Sequence, residues 1–320
     1  MRFTVWCAQR VTMRCVKGVV AACAAFAACS PEREAGDLFG PVESGTPVVD
    51  ALLVVDQPLP SIYLHRTQPP GAAYSRRQAG ISEARVVIRE GVRSYPYQDD
   101  PDSAGRYNPP DGTPAVRPET TYELQIEIPE GTLKARTHTP GRVRIRQARL
   151  VDERSGELRR ELIRFGEGDV YNAEANQLYY QDGVVELAID SLDVPAYQLA
   201  IFSLDLDSDF VLEADFLKQD DFEEFERSGS SPPLDFADGT ARLPWFAVVF
   251  AGRHLFKLHA LDQNWFDYTR SSFEGGEAFE GGLAGDNFER PLFSIDGGLG
   301  LFGSASVDSV GFFVLPKLSR

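Results

Sequence analysis

The chain has 320 residues with 32 basic and 48 acidic side chains, so its formal net charge is −16. This length suits one large domain or two ordinary ones, and the composition is that of a globular protein. The acidity argues against nucleic acid as a partner, because phosphate binding needs clustered lysine and arginine.

The first 28 residues have the pattern of a secretory signal peptide. Residues 1–17 carry four positive charges and no acid, and residues 18–28 form an uncharged run that is too short to span a bilayer. The run ends in Phe26-Ala-Ala-Cys29, which resembles the lipobox of bacterial lipoproteins. The resemblance predicts acylation of Cys29, and with Ser30 next to it an anchor in the outer membrane of the cell envelope. An ordinary cleaved leader with a chance cysteine is the alternative, and Met13 is an alternative start.

Residues beyond the lipobox are free of thiols. All four cysteines lie in the first 29 residues, and neither cysteine nor methionine occurs from 30 to 320. This excludes disulfides, thiolate metal sites and a cysteine nucleophile from that part of the chain.

Charge and aromatic content change along the chain. Residues 29–47 are rich in proline, glycine and glutamate and are interpreted as a flexible tether. Residues 48–145 contain no phenylalanine and balance 12 basic against 12 acidic side chains. Residues 146–320 hold 15 basic and 32 acidic side chains, and 17 of the 21 phenylalanines follow residue 200. Such a step predicts two domains with separate cores.

The first of these domains is expected to be an immunoglobulin-like β-sandwich. Residues 122–128 alternate apolar and acidic side chains, the period of a half-buried strand, and residues 132–139 return after a turn as a hairpin. About a hundred residues of short strands separated by proline and glycine have the size of such a sandwich. Further strands are predicted at 48–55, 61–66 and 84–89, with a short one near Tyr107.

The second domain is expected to be β-rich with one or two short helices, so the whole chain is predicted to be all-β. Residues 262–273 are the best helix candidate, and residues 220–226 fit a short surface helix. Strands are predicted at 177–180, 184–189, 196–204, 298–302 and 307–314, and 242–250 and 254–261 are predicted to form a hairpin.

Alternate carboxylates at Asp205, Asp207 and Asp209 have the spacing of a calcium-binding loop, and Ca²⁺ is the cofactor that this pattern would hold. However, Phe210 stands where glycine is expected and Phe216 where glutamate is expected. A strand with an acidic, solvent-facing side explains the same residue pattern, and we favour this interpretation. The surrounding acidic tract, residues 205–238, is interpreted as a solvated insertion or a partner-binding loop.

No catalytic motif is present. The four histidines have no metal-ligand spacing, and the sequence lacks H-E-x-x-H, G-x-S-x-G and P-loop patterns. Residues 298–303 match G-x-G-x-x-G, but a strand follows rather than a helix, so a glycine-rich β segment is the better interpretation. The sequence neither supports nor excludes an enzyme.

Basic residues alternate in two neighbouring segments: Lys134, Arg136 and His138 share a face, as do Arg142, Arg144 and Arg146. Two interpretations stand side by side. The stripe docks the first domain onto the acidic second one, or it is a solvated sheet face.

Several short motifs occur in a consistent order after the lipobox. They lie at residues 49–55, 59–67, 81–88, 105–107, 122–128, 137–140 and 297–303. This order resembles the lipoproteins of the domain of unknown function 4249, although Ser294 replaces a usual asparagine. The resemblance implies an initial strand region followed by an Ig-like set of hairpins. It also implies an outer-membrane lipoprotein, often encoded beside TonB-dependent receptors, and it assigns no activity or functional residue.

The sequence therefore predicts a membrane-anchored envelope lipoprotein that binds a ligand or partner without catalysis. The membrane, through Cys29, and an outer-membrane TonB-dependent transporter are the expected partners. An extracytoplasmic hydrolase assisted by Ca²⁺ and a purely structural envelope protein are the alternatives.

Overall fold

The computed structural model describes most of the chain from residue 44 onward. The fold is the compact unit formed by residues 45–68 and 73–320. The described ranges are 44–69, 72–162, 176–179, 182–207, 209–212, 225–236, 238–243, 247–272 and 291–316. The predicted signal peptide, Cys29 and the short helix at 220–226 lie wholly or largely outside them.

The fold is mainly β, which confirms the predicted class. Its described helices are α1 (Arg76–Ala79) and α2 (Gln263–Ser272). Its described strands are β1 (Pro47–Val54), β2 (Ile62–Arg66), β3 (Arg85–Glu90), β4 (Arg93–Pro96), β5 (Gln98–Asp99), β6 (Arg106–Asn108), β7 (Thr121–Ile128), β8 (Gly131–His138), β9 (Ile145–Val151), β10 (Leu158–Leu162), β11 (Gln177–Leu178), β12 (Val184–Ile189), β13 (Ala196–Ser203), β14 (Ser228–Ser230), β15 (Thr240–Arg242), β16 (Gly252–Leu261) and β17 (Leu299–Val314).

The strands form one large sheet and two small ones. The large sheet has the order β14-β13-β16-β17-β1-β2-β6-β5, and β11 also pairs with β17. Its neighbours are antiparallel except for β1 with β17 and β11 with β17, which are parallel. The first small sheet is β4-β3-β7-β8 and the second is β10-β9-β12-β15.

Each small sheet covers a different half of the large sheet and shares a hydrophobic core with it. The first core joins β1, β2 and β6 to β3, β7 and β8. The second core joins β13, β16 and β17 to β9 and β12. A sandwich-like arrangement is therefore found on both halves, because a sheet with one apolar face is stable only when that face is covered.

The hairpin of β7 and β8 shows how sequence period produces the first core. Tyr122, Leu124 and Ile126 are buried at alternate positions, while Glu123 between them faces solvent. Thr121 pairs with His138 at the open end, and the strands stay in register to the turn. The predicted hairpin is confirmed, since alternation places every apolar side chain on the covered face.

Strand β17 belongs to both cores. Its residues at even positions face inward, and Phe302 packs in the first core whereas Phe312 packs in the second. Between them the inward positions are polar. Ser306 and Asp308 accept hydrogen bonds from the backbone N–H groups of Val143 and Ile145, at 2.9 and 2.7 Å. These bonds hold the crossing from β8 to β9 against the large sheet.

The tail of the chain was predicted as two strands and is one strand of 16 residues. Gly300 explains how its glycine-rich start stays in the sheet. Its φ is +104°, and a side chain there would overlap the carbonyl oxygen of Val49 on β1. The missing Cβ allows the parallel pair to approach closely.

The two cores divide the described residues near the predicted domain boundary at 145/146, but the sheet does not. Strand β17 pairs with β1 from Leu299 to Ala305 and with β16 from Ala305 to Val314. Residues 48–145 and 146–320 therefore share the large sheet and lie in one compact unit. The composition step marks two cores rather than two separate sheets.

Two local predictions in the second half had different outcomes. The helix near 262–273 is confirmed as α2, and Asp262 caps it by accepting the N–H of Trp265 at 2.9 Å. Asp262 also accepts the hydroxyl of Thr137, and burial raises the pKa of its carboxyl group. The hairpin predicted from 242–250 and 254–261 is wrong. Strand β16 pairs instead with β13 and β17, two largely buried strands that are distant from it in sequence.

Candidate ligand-binding site

A cavity of about 460 Å³ lies at the edge of the second core. It is bounded by β13, by β14 with the residues just after it, and by residues of the stretches 242–243 and 247–250. Its apolar lining includes Leu199, Ile201, Leu234, Leu243, Val249 and Phe250. The volume lies within the range of roughly 300–1,000 Å³ that small-molecule sites occupy.

Small residues on β14 leave this space open. Strand β14 is an edge strand of three residues, Ser-Gly-Ser, and Gly229 pairs with Ile201 of β13. The side chains of Leu199 and Ile201 belong to the second core, so β13 supplies large apolar groups that its short neighbour does not match. Where volumes are unmatched at a sheet edge, a gap remains.

Arg227 forms part of the cavity wall together with an aromatic cluster. Its guanidinium carbon lies 3.9 Å from the ring centroid of Phe250, the geometry of a cation–π contact. Its Nη1 donates to the carbonyl oxygen of Asp205 at 2.6 Å. Phe210 contacts Phe250 edge-on and Phe225 at a tilt. These contacts hold a positive charge in a largely apolar wall.

His254 also lines the cavity and is buried. Its ring is stacked on Phe312, with centroids 5.3 Å apart. Its Nδ1 lies 3.0 Å from the carbonyl oxygen of Gly252, which can only accept, so Nδ1 carries the proton and Nε2 is an acceptor. Burial lowers the pKa of His254 to about 4, so the ring is neutral at neutral pH.

A second arginine of the lining, Arg242, belongs to an ion-pair group. Arg242 and Arg149 both donate to the carboxylate of Glu186, at 2.7 and 2.5 Å. The Glu186 side chain is 4 % exposed. Burial raises the pKa of Glu186, but the hydrogen bonds from Arg242 and Arg149 outweigh it, so the carboxyl stays ionised with a lowered pKa. This group ties β12, β15 and β9 together.

The three predicted metal ligands are not assembled into a site. Asp205 accepts the backbone N–H of Arg253 at 2.7 Å and also its guanidinium, and this side-chain hydrogen bond lowers the pKa of Asp205. Asp207 and Asp209 are exposed. Within the described ranges, no group of three acidic, histidine or cysteine side chains is placed to hold a metal ion.

Buried carboxylates occur in several places but do not converge on the cavity. Glu90 binds Arg117 and the hydroxyl of Tyr95, and Asp308 accepts backbone N–H groups. Asp262 and Glu186 have the structural partners given above. Among the described residues that line the cavity, the one carboxylate is Glu226, which is exposed. Each of these four buried acids of the described chain thus has its own structural partners, and no two of them form an acid–base pair.

The basic stripe has mixed partners. Arg142 forms a bidentate ion pair with Asp56, with hydrogen bonds of 2.6 and 2.8 Å. Both residues lie in the first half of the chain. Arg146 contacts Asp190 at 2.9 Å, in the second half. The stripe is therefore not a uniform docking surface for the acidic half.

Sequence reasoning missed the residues that give the cavity its polar character. The sequence analysis assigns no role to His254, because the histidines lack metal-ligand spacing, and none to Arg227, which lies within the acidic tract 205–238. The available signal for Arg227 was its isolation among acidic residues, because an isolated arginine needs partners that hold its side chain. The Ser-Gly-Ser strand was interpreted as loop.

The fold is that of a mainly β protein with a largely apolar cavity at the edge of its second core. A model of the family described as domain of unknown function (DUF4249) matches residues 41–310, and the chain belongs to this family. No curated protein matches the chain. In the described part of the chain, neither helix has the length and apolar character needed to cross a membrane.

Proposed function

We propose that the protein is a lipid-anchored envelope protein that binds a small ligand without catalysis and serves an outer-membrane TonB-dependent transporter. The apolar cavity beside β13 carries this proposal, because a concave apolar site with few polar groups is typical of ligand binding. The separation of the buried carboxylates supports binding over hydrolysis, since glycoside or peptide hydrolysis by carboxylates needs two of them to converge.

Cys29 is the proposed anchor, acylated with palmitate-type chains at the outer membrane. Its support is the sequence Phe26-Ala-Ala-Cys29 after a basic, then apolar, leader. Two or more acyl chains give stable membrane attachment, whereas one does not. Labelled palmitate should enter the protein and the membrane fraction should retain it. The variant Cys29→Ser should lose the label, and Cys23→Ser, within the leader, should keep it. Label retained in Cys29→Ser would contradict the anchor.

Ligand binding is tested first with a general apolar dye whose fluorescence rises in dry sites. The wild-type chain should enhance its emission, and Ala247→Phe should reduce the enhancement because Ala247 lines the cavity. The matched control is Val92→Phe, an exposed apolar position elsewhere. Equal emission from all three proteins would place the dye outside the cavity.

The transporter is the proposed partner. Affinity purification from detergent-solubilised envelope should recover an outer-membrane transporter with the wild-type chain. The Cys29→Ser variant should recover less, because the anchor keeps the two proteins on one membrane. Repeated absence of any transporter would argue against the accessory role and leave ligand binding untouched.

A further inference from the structure

We propose that the cavity binds a neutral alcohol or phenol with an apolar body, whose hydroxyl donates a hydrogen bond to Nε2 of His254. This inference rests on the proposed ligand-binding function and names the ligand class of the same cavity. The apolar body lies between β13 and residues 247–250.

Strand register places the His254 ring on the cavity side of the large sheet. His254 on β16 pairs with Ser203 of β13 and with Phe312 of β17. Side chains of directly paired residues lie on one face of a sheet, and Phe312 belongs to the second core. The ring stacks on Phe312, whereas its neighbour on β13, Ser203, is small and also lines the cavity. The histidine is thus buried beside a gap rather than in a filled core.

Nε2 of His254 is a buried acceptor that the described protein groups leave unsatisfied. The residue is 1 % exposed, and Nδ1 uses the proton of the ring on the carbonyl oxygen of Gly252 at 3.0 Å. Among the residues that the structure describes, no group donates a hydrogen bond to Nε2. Buried polar atoms are normally paired, because an unpaired one has lost its water without a replacement. Since His254 lines the cavity, a donor on a bound molecule can satisfy this nitrogen.

A hydroxyl suits this nitrogen better than other donors do. An ammonium group would carry a charge into an apolar space, which is far more costly than burying a hydroxyl. An amide N–H brings a carbonyl oxygen that needs a donor of its own. An ether, a ketone or a carboxylate can only accept and would leave Nε2 unsatisfied. The histidine therefore selects an alcohol or a phenol.

The apolar body of the ligand follows from the two walls. Leu199 and Ile201 line the cavity from β13, and Leu243 and Val249 line it from the chain after β15. Burial of apolar surface favours binding in proportion to the area that is removed from water. A wholly polar ligand would lose its hydration against these walls without compensation. The volume of about 460 Å³ accommodates a molecule with one or two rings.

The charged groups of the described lining are balanced, which favours a neutral ligand. Arg227 lines the cavity together with Glu226, its neighbour in sequence, and has hydrogen-bond partners of its own. Arg242, the second arginine of the lining, is paired with Glu186 at 2.7 Å. Burial lowers the pKa of His254 to about 4, so its ring adds no charge at neutral pH. A charged ligand of either sign would therefore meet no excess of the opposite charge.

The test uses the full-length chain with Cys29→Ser, so that no acyl chain competes for the cavity. Calorimetric titration compares 2-naphthol with 2-methoxynaphthalene, which has the same rings but no hydroxyl proton. We expect 2-naphthol to bind about tenfold more tightly, the size expected for one hydrogen bond to a buried acceptor. The anion 2-naphthoate, which can only accept, should bind more weakly than 2-naphthol.

Variants locate the hydroxyl of the ligand. His254→Phe keeps a ring against Phe312 but removes the acceptor, so the affinity for 2-naphthol should fall about tenfold. The affinity for 2-methoxynaphthalene should stay the same, which also shows that the cavity of this variant is intact. His138→Phe changes an exposed histidine on β8 and should alter neither affinity. Ala247→Phe should weaken both ligands, because Ala247 lines the cavity.

A spectroscopic measurement keeps the inference testable even where His254→Phe fails to fold. The chain has four histidines, which can be labelled with nitrogen-15 and followed by magnetic resonance. Bound 2-naphthol should shift the signal of one unprotonated ring nitrogen toward that of a protonated nitrogen, because this nitrogen accepts a hydrogen bond. Bound 2-methoxynaphthalene should produce no such shift. A histidine spectrum that is unchanged by bound 2-naphthol would exclude His254 as the acceptor.

Three other results would overturn the inference. Equal affinities for 2-naphthol and 2-methoxynaphthalene, or a His254→Phe chain that keeps the preference for 2-naphthol, would remove the hydroxyl while ligand binding stands. Tighter binding of 2-naphthoate than of 2-naphthol would remove the neutral ligand class. Failure of all three molecules to bind would contradict ligand binding by this cavity as well, and the anchor and transporter experiments would still be decided separately.

Discussion

The two cores solve the same packing problem with different side chains. In the first core, buried tyrosines hold the covering loops through their hydroxyls: Tyr107 donates to the carbonyl of Ile81 at 2.8 Å, and Tyr122 accepts the N–H of Arg117 at 2.9 Å. In the second core, phenylalanines Phe256 and Phe312 fill the centre. The apolar cavity lies at the edge of this second core. Tyr197 of the second core likewise accepts the N–H of Leu192 at 2.8 Å. The difference that the cavity reflects is therefore the short edge strand β14, beside which it lies.

The largest expected effect tests whether the cores unfold together. Phe302→Ala and Phe312→Ala remove fully buried rings from the same strand, one in each core. Each should lower the free energy of unfolding by about 3–5 kcal/mol. Because β17 serves both cores, both variants should shift one urea transition. Two separate transitions, each moved by one variant, would show that the cores are independent.

The next effect is a pH dependence that belongs to the second core. The pKa of buried His254 is about 4, below its ordinary value near 6.5, so between these pH values the unfolded chain binds the extra proton. Stability therefore rises with pH across this window and is lost as pH falls from 6.5 to 4. At pH 5 the loss from this group should be about 2 kcal/mol.

Urea unfolding of the wild type and His254→Gln at pH 7 and pH 5 measures this term. The difference in free energy between the two pH values should shrink in His254→Gln. His138→Gln, an exposed histidine on β8, should leave it unchanged. If the free energy of unfolding of the wild type were the same at pH 7 and pH 5, once the contribution of the carboxylates is subtracted, His254 would not be a neutral buried ring.

A smaller effect is expected in the first core. Tyr107→Phe removes a hydroxyl that donates to Ile81 and accepts the N–H of Ala84 at 2.9 Å. Leaving these groups without a partner should cost about 1–3 kcal/mol. Tyr63→Phe is the control, since Tyr63 is half-buried and its ring contact with Arg76 survives the change. Thermal unfolding measures the stability of both variants. An equal loss of stability in Tyr107→Phe and Tyr63→Phe would show that the Tyr107 hydroxyl does not hold these loops.

The smallest effect is expected on the surface. Arg142→Gln removes the ion pair with Asp56, whose side chains are 51 and 52 % exposed. Such exposed pairs contribute little to stability, so the loss should be smaller than that of Tyr107→Phe. Because the Arg142 hydrogen bond lowers the pKa of Asp56, the loss should disappear as pH falls and Asp56 is protonated in either protein. A loss as large as that of Tyr107→Phe would contradict the weak, surface character of this pair.

Local patterns predicted the strands more successfully than their partners. The alternation from Tyr122 to Ile128 and the helix pattern of residues 262–273 are properties of neighbouring residues, and both elements are found where expected. The pairing of β1 with β17 joins the two ends of the described fold, and no short window contains both. The hairpin predicted at 242–261 failed for the same reason: an adjacent partner was assumed where β16 has distant ones.

The cavity could not be predicted from the sequence, because it is the space that remains between neighbouring strands after their side chains have packed. Gly229 and the serines beside it have turn-like composition, and the large residues of β13 give a strand signal with or without a gap. The aspartates at 205, 207 and 209 show the converse. Their spacing is regular in sequence, but the carboxylate of Asp205 is directed to Arg253 by the local backbone.

Strand β17 also sets the order in which the chain can fold. Val48 pairs with Leu299, so nearly the whole described chain lies between two neighbours of one sheet. Contacts so far apart in sequence form slowly. In a chain that is synthesised from its N-terminus, the edges of β1 and β16 that pair with β17 stay unpaired until β17 has been made. Unpaired edges of this kind invite association with other chains. Strand β17 is made after both of its partners and closes both halves, so the open edges of β1 and β16 are exposed for as long as β17 is missing.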